Sequence, residues 1–337
     1  EHTLKAKGHG GSETAAIEVA KFIKAKTGRP VKIFHPRAKR DVMESGVEYI
    51  PIQELVGYLH NIEPAAHIAW RHSVPLTKAK SFIWCHDLQC PGAHNAANYD
   101  KIVALSGFHA NYLMETNGVP KDKIALGFNG IDPENFKAKF EKDPLKVVFS
   151  SSPDRGLEQA IDIVAHARKV SGLDIKLHCF YGFENMRKAG QTEWADRLEK
   201  KISDNAFVVP HGMVTKDVLM RHFGEAGVWL YPNDFIETYC ITAIEALCSG
   251  AWPIVRDMGA LKYTMKEAVE KGMCDLIQTD IYDNDSLEKW AGILVDAIEK
   301  RKWEKVKVNP KDYSWGKVAD WFIEQMDLMP VAKGDAA

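Results

Sequence analysis

Tyr231-Pro232-Asn233-Asp234-Phe235-Ile236-Glu237-Thr238-Tyr239-Cys240-Ile241-Thr242-Ala243-Ile244-Glu245-Ala246-Leu247-Cys248-Ser249-Gly250 is the stretch on which the fold turns. The apolar run Gly227–Leu230 ahead of it reads as a strand that ends near Tyr231. A polar loop follows, and a helix is expected from around Thr238, so the functional edge lies at a helix N-terminus. Glu237 and Glu245 stand eight residues apart. On a helix that spacing means a rise of about 12 Å and a rotation within about 80° of two full turns. Two such carboxylates can hold separated parts of one extended ligand, and they are too far apart for a retaining glycosidase pair. Between them the backbone amides of Thr238, Tyr239 and Cys240 are expected to face a diphosphate. A nucleotide sugar fits this order, with carboxylates for hydroxyls at both ends and amides in the middle. The plainer alternative is one Glu on the helix dipole and another on a solvated face. The apolar flanks Ile241, Ala243, Ile244, Ala246 and Leu247 argue against it, because they enclose Glu245 and oblige it to find a partner.

Outward from this stretch, strand-like runs alternate with amphipathic helical ones, the pattern of βαβ units and parallel sheets. In the first half, Val31–His35, Glu48–Pro51, Ala66–Trp70, Ser81–Cys85, Lys101–Leu105 and Lys123–Gly127 read as strands, with helices such as Ser12–Thr27 and Gly107–Asn117 between them. Asp132–Pro144 is charged, carries two prolines and lacks apolar periodicity, so it reads as a linker. The second half repeats the logic with Leu145–Ser150, Leu173–Phe180, Ala206–Val209, Gly227–Leu230, Trp252–Val255 and Cys274–Gln278. The expected division is therefore 1–140, 141–313 and a terminal helix at 314–330. Glu1–Gly11 leads straight into a helix, so the strand that usually precedes the first glycine loop of a Rossmann-like half is expected to be missing.

With 337 residues the chain is long enough for two domains, each with its own core. Lys and Arg number 44 against 46 Asp and Glu, a formal charge of −2 that lacks the basic excess of a nucleic-acid binder. Hydrophobic residues at 45% and charged residues at 27% exclude a disordered chain. No run reaches the length of a membrane-spanning helix and no signal peptide opens the chain, so the expected location is cytoplasmic, or peripheral at a membrane. Cys85, Cys90, Cys179, Cys240, Cys248 and Cys274 are scattered, several of them in apolar patterns, and no disulfide is expected.

The central stretch, with Gly250-Ala251-Trp252-Pro253-Ile254-Val255 after it, resembles the C-terminal signature of family-four retaining glycosyltransferases of the GT-B fold. Gly10-Gly11-Ser12-Glu13 looks like that family's Gly-Gly-x-Glu loop. Asn129-Gly130-Ile131-Asp132 with Phe136 looks like the segment closing its first domain. Ser150-Ser151-Ser152-Pro153-Asp154-Arg155-Gly156-Leu157 resembles the loop that opens its donor domain, and Tyr313-Ser314-Trp315 resembles the start of its terminal helix. The matches follow the family's order over nearly the whole chain. The fold implied is α/β, two Rossmann-like domains facing a cleft, with the last helix crossing back to the first domain.

Read residue by residue, Gly10 and Gly11 open a helix where backbone amides can approach an anion, although Ser12 or Glu13 serves equally well as a cap. Arg155 follows a strand and can take two phosphate oxygens at once, or stand exposed beside Asp154. The family usually places two cations here, and this sequence has Phe149 or Ser150 where the first would be. His86 ends the strand Phe82-Ile83-Trp84-Cys85 at the edge where open sheets bind ligands, with Asp87 beside it. The alternative set Cys85, His86, Cys90 and His94 matches no regular zinc spacing. Asp283-Asn284-Asp285 fits the metal-binding D-x-D pattern, but Asp285-Ser286-Leu287-Glu288 fits a helix cap better. Trp70, Arg71 and His72 end another strand and are assigned with Asp87 to the acceptor side. The strand end His178-Cys179-Phe180-Tyr181-Gly182 and the turn His211-Gly212-Met213-Val214 resemble the walls of the family's nucleobase pocket, where backbone atoms do most of the reading.

The resemblance implies sugar transfer with retention from a nucleotide diphosphate sugar to a glycan, lipid-linked or protein-linked hydroxyl. It implies no cofactor and no obligatory metal. Glu237 would hold the sugar, Glu245 the ribose, and Arg155 the phosphates, while His86 positions the sugar. Rival readings are a non-oxidative nucleotide-sugar epimerase and an inactive nucleotide-sugar binder. An oxidoreductase is disfavoured because no G-x-G-x-x-G follows a strand in either half.

Overall fold

The structure, a computed structural model, describes residues 11–36, 38, 42–74, 78–90, 93–280 and 282–330. These form two compact units. One comprises Asp132–Lys311; the other combines the described residues ahead of Asp132 with those from Asp312 onward.

The second of these units carries two sheets. β1 (Val31–His35), β2 (Val42–Glu44) and β3 (Val47–Pro51) pair in the order β1-β3-β2, with β1 parallel and β2 antiparallel to β3. β4 (Ala66–Trp70), β5 (Lys80–Trp84), β6 (Lys101–Ala104) and β7 (Ile124–Leu126) form a parallel sheet in chain order. The short β2 escapes sequence reading because three residues around a Gly46 turn show no period. The helix Gly11–Thr27 packs against the terminal helix Trp315–Gln325, with Lys26 Nζ 2.7 Å from Asp320. Ser314 caps the terminal helix, accepting from the Lys317 amide, and its neighbour Ile131 donates to the Tyr313 carbonyl at 2.8 Å. Trp315, Val318, Phe322 and Met326 are buried, the Phe322 ring lying 4.9 Å from Trp84 on β5. The helical spacing of these apolar residues thus produces a face that docks on the first half of the chain.

The Asp132–Lys311 unit is one six-stranded parallel sheet built from β8 (Asp143–Phe149), β9 (Lys176–Phe180), β10 (Val208–Gly212), β11 (Ala226–Tyr231), β12 (Trp252–Arg256) and β13 (Asp275–Ile277). Their order is β10-β9-β8-β11-β12-β13, the doubly wound order of a dinucleotide-binding domain. Val147, Val148, Phe149, Trp229, Leu230, Ile254 and Val255 are all buried, as continuous apolar runs are when helices cover both sheet faces. The order reverses between β8 and β11, and crevices for ligands open beyond the carboxyl ends of strands at such a point.

Several expectations need correction. The linker Asp132–Pro144 is built into this unit. Asp132 caps a 3-10 turn at Pro133–Phe136, and β8 begins at Asp143. Lys142 is anchored because its amine donates to the carbonyls of Phe223, Ala226 and Ser249 at 3.3, 2.8 and 3.0 Å. β10 runs on to Gly212 despite Pro210, since it is an edge strand with a bulge at that proline. Cys85 and Cys90 form a disulfide, contrary to the expectation of free thiols. The chain leaves β5 and turns back through Asp87–Gln89, bringing the two Cα atoms to 5.9 Å, within reach of a bridge. That pairing also removes both cysteines as zinc ligands, and the His94 side chain lies outside the described residues. The D-x-D segment is a cap, but Asp283 is the capping residue, two positions earlier than expected: its Oδ1 accepts from the Ser286 amide at 2.7 Å.

Candidate functional site

β8 and β11, the two strands at the reversal, each deliver a loop to the same edge. The loop after β8 carries Arg155 and ends at Gly156, whose φ of 108° favours glycine. A Cβ there would stand 2.6 Å from the Pro232 carbonyl oxygen, so the two loops meet backbone to backbone only because no side chain intervenes. The loop after β11 carries Glu237, 8% exposed. Its Oε1 accepts from the Tyr231 hydroxyl at 2.6 Å and lies 3.4 Å from Arg155 Nη1. The Arg155 guanidinium also lies over the Phe235 ring at 3.7 Å. The Glu237 carbonyl accepts from the Ala260 amide at 2.8 Å, and the Gly259 backbone is so close that a Cβ would fall 2.6 Å from that carbonyl oxygen. Glu237 is therefore fixed at both backbone and carboxylate. A buried carboxylate is tolerated when it is paired in this way.

The helix after this loop is Ile241–Cys248, three residues later than expected. Thr238, Tyr239 and Cys240 thus lie in the loop, not in the first helical turn, and Cys240 has φ 71°. The left-handed residue delays the helix, and the Tyr239 carbonyl accepts from the Thr264 hydroxyl instead of entering a helical ladder. Glu237 and Glu245 consequently do not share a helix. Glu245 does, at 4% exposure, and its partner is Lys216, the first residue of the helix Lys216–Glu225. The sequence reading required a partner for Glu245 but did not identify Lys216. The only signal was a Lys five residues after His211, and nothing in its spacing links it to Glu245. Burial and the nearby Glu237 hold the Cys240 thiol well above its usual pKa, so it is no thiolate nucleophile. The same two causes hold the Tyr231 hydroxyl protonated as a donor.

Gly182 and Gly212 approach each other closely, the Cβ position of Gly182 being 3.6 Å from the Gly212 Cα, and the Tyr181 amide donates to the Gly212 carbonyl at 2.9 Å. Met213 is exposed beside them. These residues sit at the carboxyl ends of β9 and β10, neighbours of β8 on its far side from β11.

In the other unit, Arg71 makes a two-pronged pair with Asp87, Nε to Oδ2 at 2.7 Å and Nη2 to Oδ1 at 3.0 Å. Glu13 lies 3.9 Å from Arg71 Nη1. His86 packs between Trp84 and Trp70, with ring centroids at 4.7 and 6.3 Å. Burial, aided by the Arg71 charge, lowers its pKa to about 3, so the imidazole is neutral at physiological pH. His109, which sequence reading passed over, ties the cluster together: Nδ1 accepts from the Leu105 amide at 3.2 Å, leaving Nε2 to donate to the Asp87 carbonyl at 3.2 Å. Trp70, Arg71, His86 and Asp87 lie together, whereas the His72 side chain is exposed. Gly11 and Ser12 begin the first helix, and Gly10 lies outside the described residues.

Among solved structures the chain is similar to a glycosyltransferase from Rickettsia africae ESF-5, at 15% identity and TM-score 0.69 over 96% of each chain. It is similar to sucrose-phosphate synthase from Thermosynechococcus elongatus at 15% identity and TM-score 0.66, over 94% of this chain and 93% of that one. Anabaena HepE, solved in complex with UDP and glucose, gives 14% identity and TM-score 0.67 over 96% and 97% of the two chains. At these identities the likeness establishes the fold, the two Rossmann-like domains of GT-B glycosyltransferases. No protein-family model and no curated protein matches the sequence.

Proposed function

We propose that the chain transfers a sugar, with retention at the anomeric carbon, from a nucleotide diphosphate sugar to a hydroxyl acceptor. The observation that carries this reading is the convergence of Arg155, Tyr231 and Glu237 where the strand order reverses, with the Lys216–Glu245 pair on the adjoining helices. Similar folds bind such donors: HepE has been solved with UDP-glucose. In this reading the Glu237 carboxylate, held by Tyr231, accepts from sugar hydroxyls. Arg155 exchanges part of its contact with Glu237 for diphosphate oxygens, where its planar fork can bind two of them. Glu245 takes the ribose hydroxyls, and Lys216 supplies the second cation that the loop after β8 lacks.

The bond from C1 to the phosphate oxygen breaks and the acceptor oxygen bonds to C1 on the same face. The acceptor's proton passes to the departing diphosphate. Charge growing on that leaving group is stabilised by fixed donors that need no reorganisation, and no metal is required for the step. The acceptor side is assigned to Trp70, Arg71, His72 and Asp87, and His86 by resemblance positions the sugar; a neutral His86 can donate a hydrogen bond to a sugar hydroxyl without acting as a general acid.

The test is incubation with a panel of nucleotide sugars and hydroxyl acceptors, reading nucleotide diphosphate release and, by NMR, the anomeric configuration of the product. Acceptor-dependent release with retained configuration supports the reading. Inversion refutes the retaining step, and conversion of the donor's sugar with no acceptor used favours the epimerase.

A further inference from the structure

Away from Arg155 and Glu237, three histidines from three elements meet in the Asp132–Lys311 unit. His178 lies on β9, His211 on β10 and His222 on the helix Lys216–Glu225. One ring nitrogen from each lies within 4.8 Å of the other two. His178 Nδ1 is 2.9 Å from His211 Nε2, and the His222 ring centroid is 4.4 Å from that of His211 and 5.6 Å from that of His178. Phe180 stacks on His211 at 4.6 Å and closes one side. His222 Nδ1 is buried and has no hydrogen-bond partner among the described residues. A buried ring nitrogen without a partner is open to a ligand.

We propose that His178, His211 and His222 bind one divalent transition-metal ion of the zinc class, at a site apart from Arg155, Glu237 and Glu245 and within the segments that by resemblance wall the nucleobase pocket. Three imidazoles suit Zn²⁺, Co²⁺, Ni²⁺ or Cu²⁺ and do not suit Mg²⁺ or Ca²⁺, which prefer oxygen. A tetrahedral ion about 2.0–2.1 Å from each nitrogen leaves a fourth position for water. The hydrogen bond between His178 and His211 gives way when the proton it uses moves to the other nitrogen of the same ring, so no net proton is lost. Lys146 disfavours positive charge on all three rings, and Arg221 does so on His222, while Glu225, whose Oε2 is 2.5 Å from Lys146 Nζ, offsets this at His178 and His222. The ion would tie the helix that starts at Lys216 to the two outer strands of the sheet.

The experiment titrates Co²⁺ into tag-free, metal-stripped protein, reading visible absorption, and records melting with Zn²⁺, Mg²⁺ or EDTA. The parent is expected to bind one Co²⁺ with a tetrahedral absorption band that Zn²⁺ removes, and to melt higher with Zn²⁺ but not with Mg²⁺. His178→Asn and His222→Gln, checked for cooperative melting in EDTA, should lose the band and weaken binding by at least the about 10–100-fold that disturbing an outer-sphere partner costs. His60→Ala, at an exposed position, should behave as the parent. Absence of a band in the parent overturns the proposal whatever the variants do. So does parent-like Co²⁺ binding in either folded cluster variant.

Discussion

Tyr231→Phe removes one oxygen from the interior and asks whether the Glu237 carboxylate depends on it. Tyr231 is 1% exposed, and its hydroxyl donates to Glu237 Oε1 at 2.6 Å, the shorter of the two contacts at that oxygen. Hydrogen bonds to charged groups contribute about 1.5–3 kcal/mol, and Phe fills the ring space, so the loss is confined to the bond. Some of that energy is read as stability. For a unit of this size each kcal/mol shifts melting by about 2–4 °C, which gives a fall of about 3–12 °C. If Glu237 holds the sugar in the transition state, kcat/KM for the donor drops by about 10- to 150-fold, at tenfold per about 1.4 kcal/mol. KM should move less than kcat, because the variant misplaces a group that binds the reacting sugar. The assay pairs nucleotide release with thermal melting. A variant that melts and turns over like the parent refutes the claim that Tyr231 positions Glu237. A lower melting temperature with unchanged turnover refutes the catalytic role and leaves a structural one.

Glu245→Ala should weaken donor binding by about 1.5–3 kcal/mol, seen as a higher donor Kd by calorimetry, while Glu237→Ala mainly lowers turnover; parent-like behaviour of both would refute the assignment. Sugar transfer should persist in EDTA, and complete loss restored by Mn²⁺ or Mg²⁺ would overturn the metal-free step. Deleting the chain from Ser314 removes the buried side chains of Trp315, Val318, Phe322, Met326 and Leu328, at about 1.5–3 kcal/mol each, with Ala319 beside them, a loss comparable with the whole stability of a domain. The first half of the chain should then lose its cooperative melt, and an unchanged melt would sink this. Stability should also fall as pH drops. Burial lowers the pKa of His86 to about 3 and of His109, His178 and His222 to about 4, below the unfolded value of 6.5. The unfolded chain therefore takes up protons first, and stability present above pH 6.5 is lost between 6.5 and about 4. Urea midpoints that are equal at pH 7.5 and pH 5 would contradict this.

The parallel sheet of the Asp132–Lys311 unit was legible because its strands are continuous apolar runs, and the terminal helix because its apolar residues recur at helical spacing. Candidate site residues were legible where their own segment marks them, as with Arg155 in a loop after a strand and Glu245 among apolar flanks. It was not legible where partners come from distant segments. Lys216 reaches Glu245 only through the packing of two helices, and His109 reaches Asp87 only through the sheet. Boundaries went astray where the backbone takes an unusual turn: positive φ at Cys240 delays a helix, and the turn through Asp87–Gln89 brings Cys90 back to Cys85. Asp132–Pro144 misled for a different reason, since its charge suggested solvent while Lys142 is held by three carbonyl oxygens.

Among the described residues the chain passes between its two units twice, at Ile131–Asp132 and again at Lys311–Asp312. This sets an order for events on the ribosome. The Asp132–Lys311 unit has all its strands once residue 311 has emerged, and can fold while synthesis continues. The other unit has to wait, because the helix Trp315–Gln325 that covers Trp84 is made only after residue 311. During that interval the face that receives Phe322 is open to water, and a nascent chain stalled before Trp315 would present it to chaperones or to other chains.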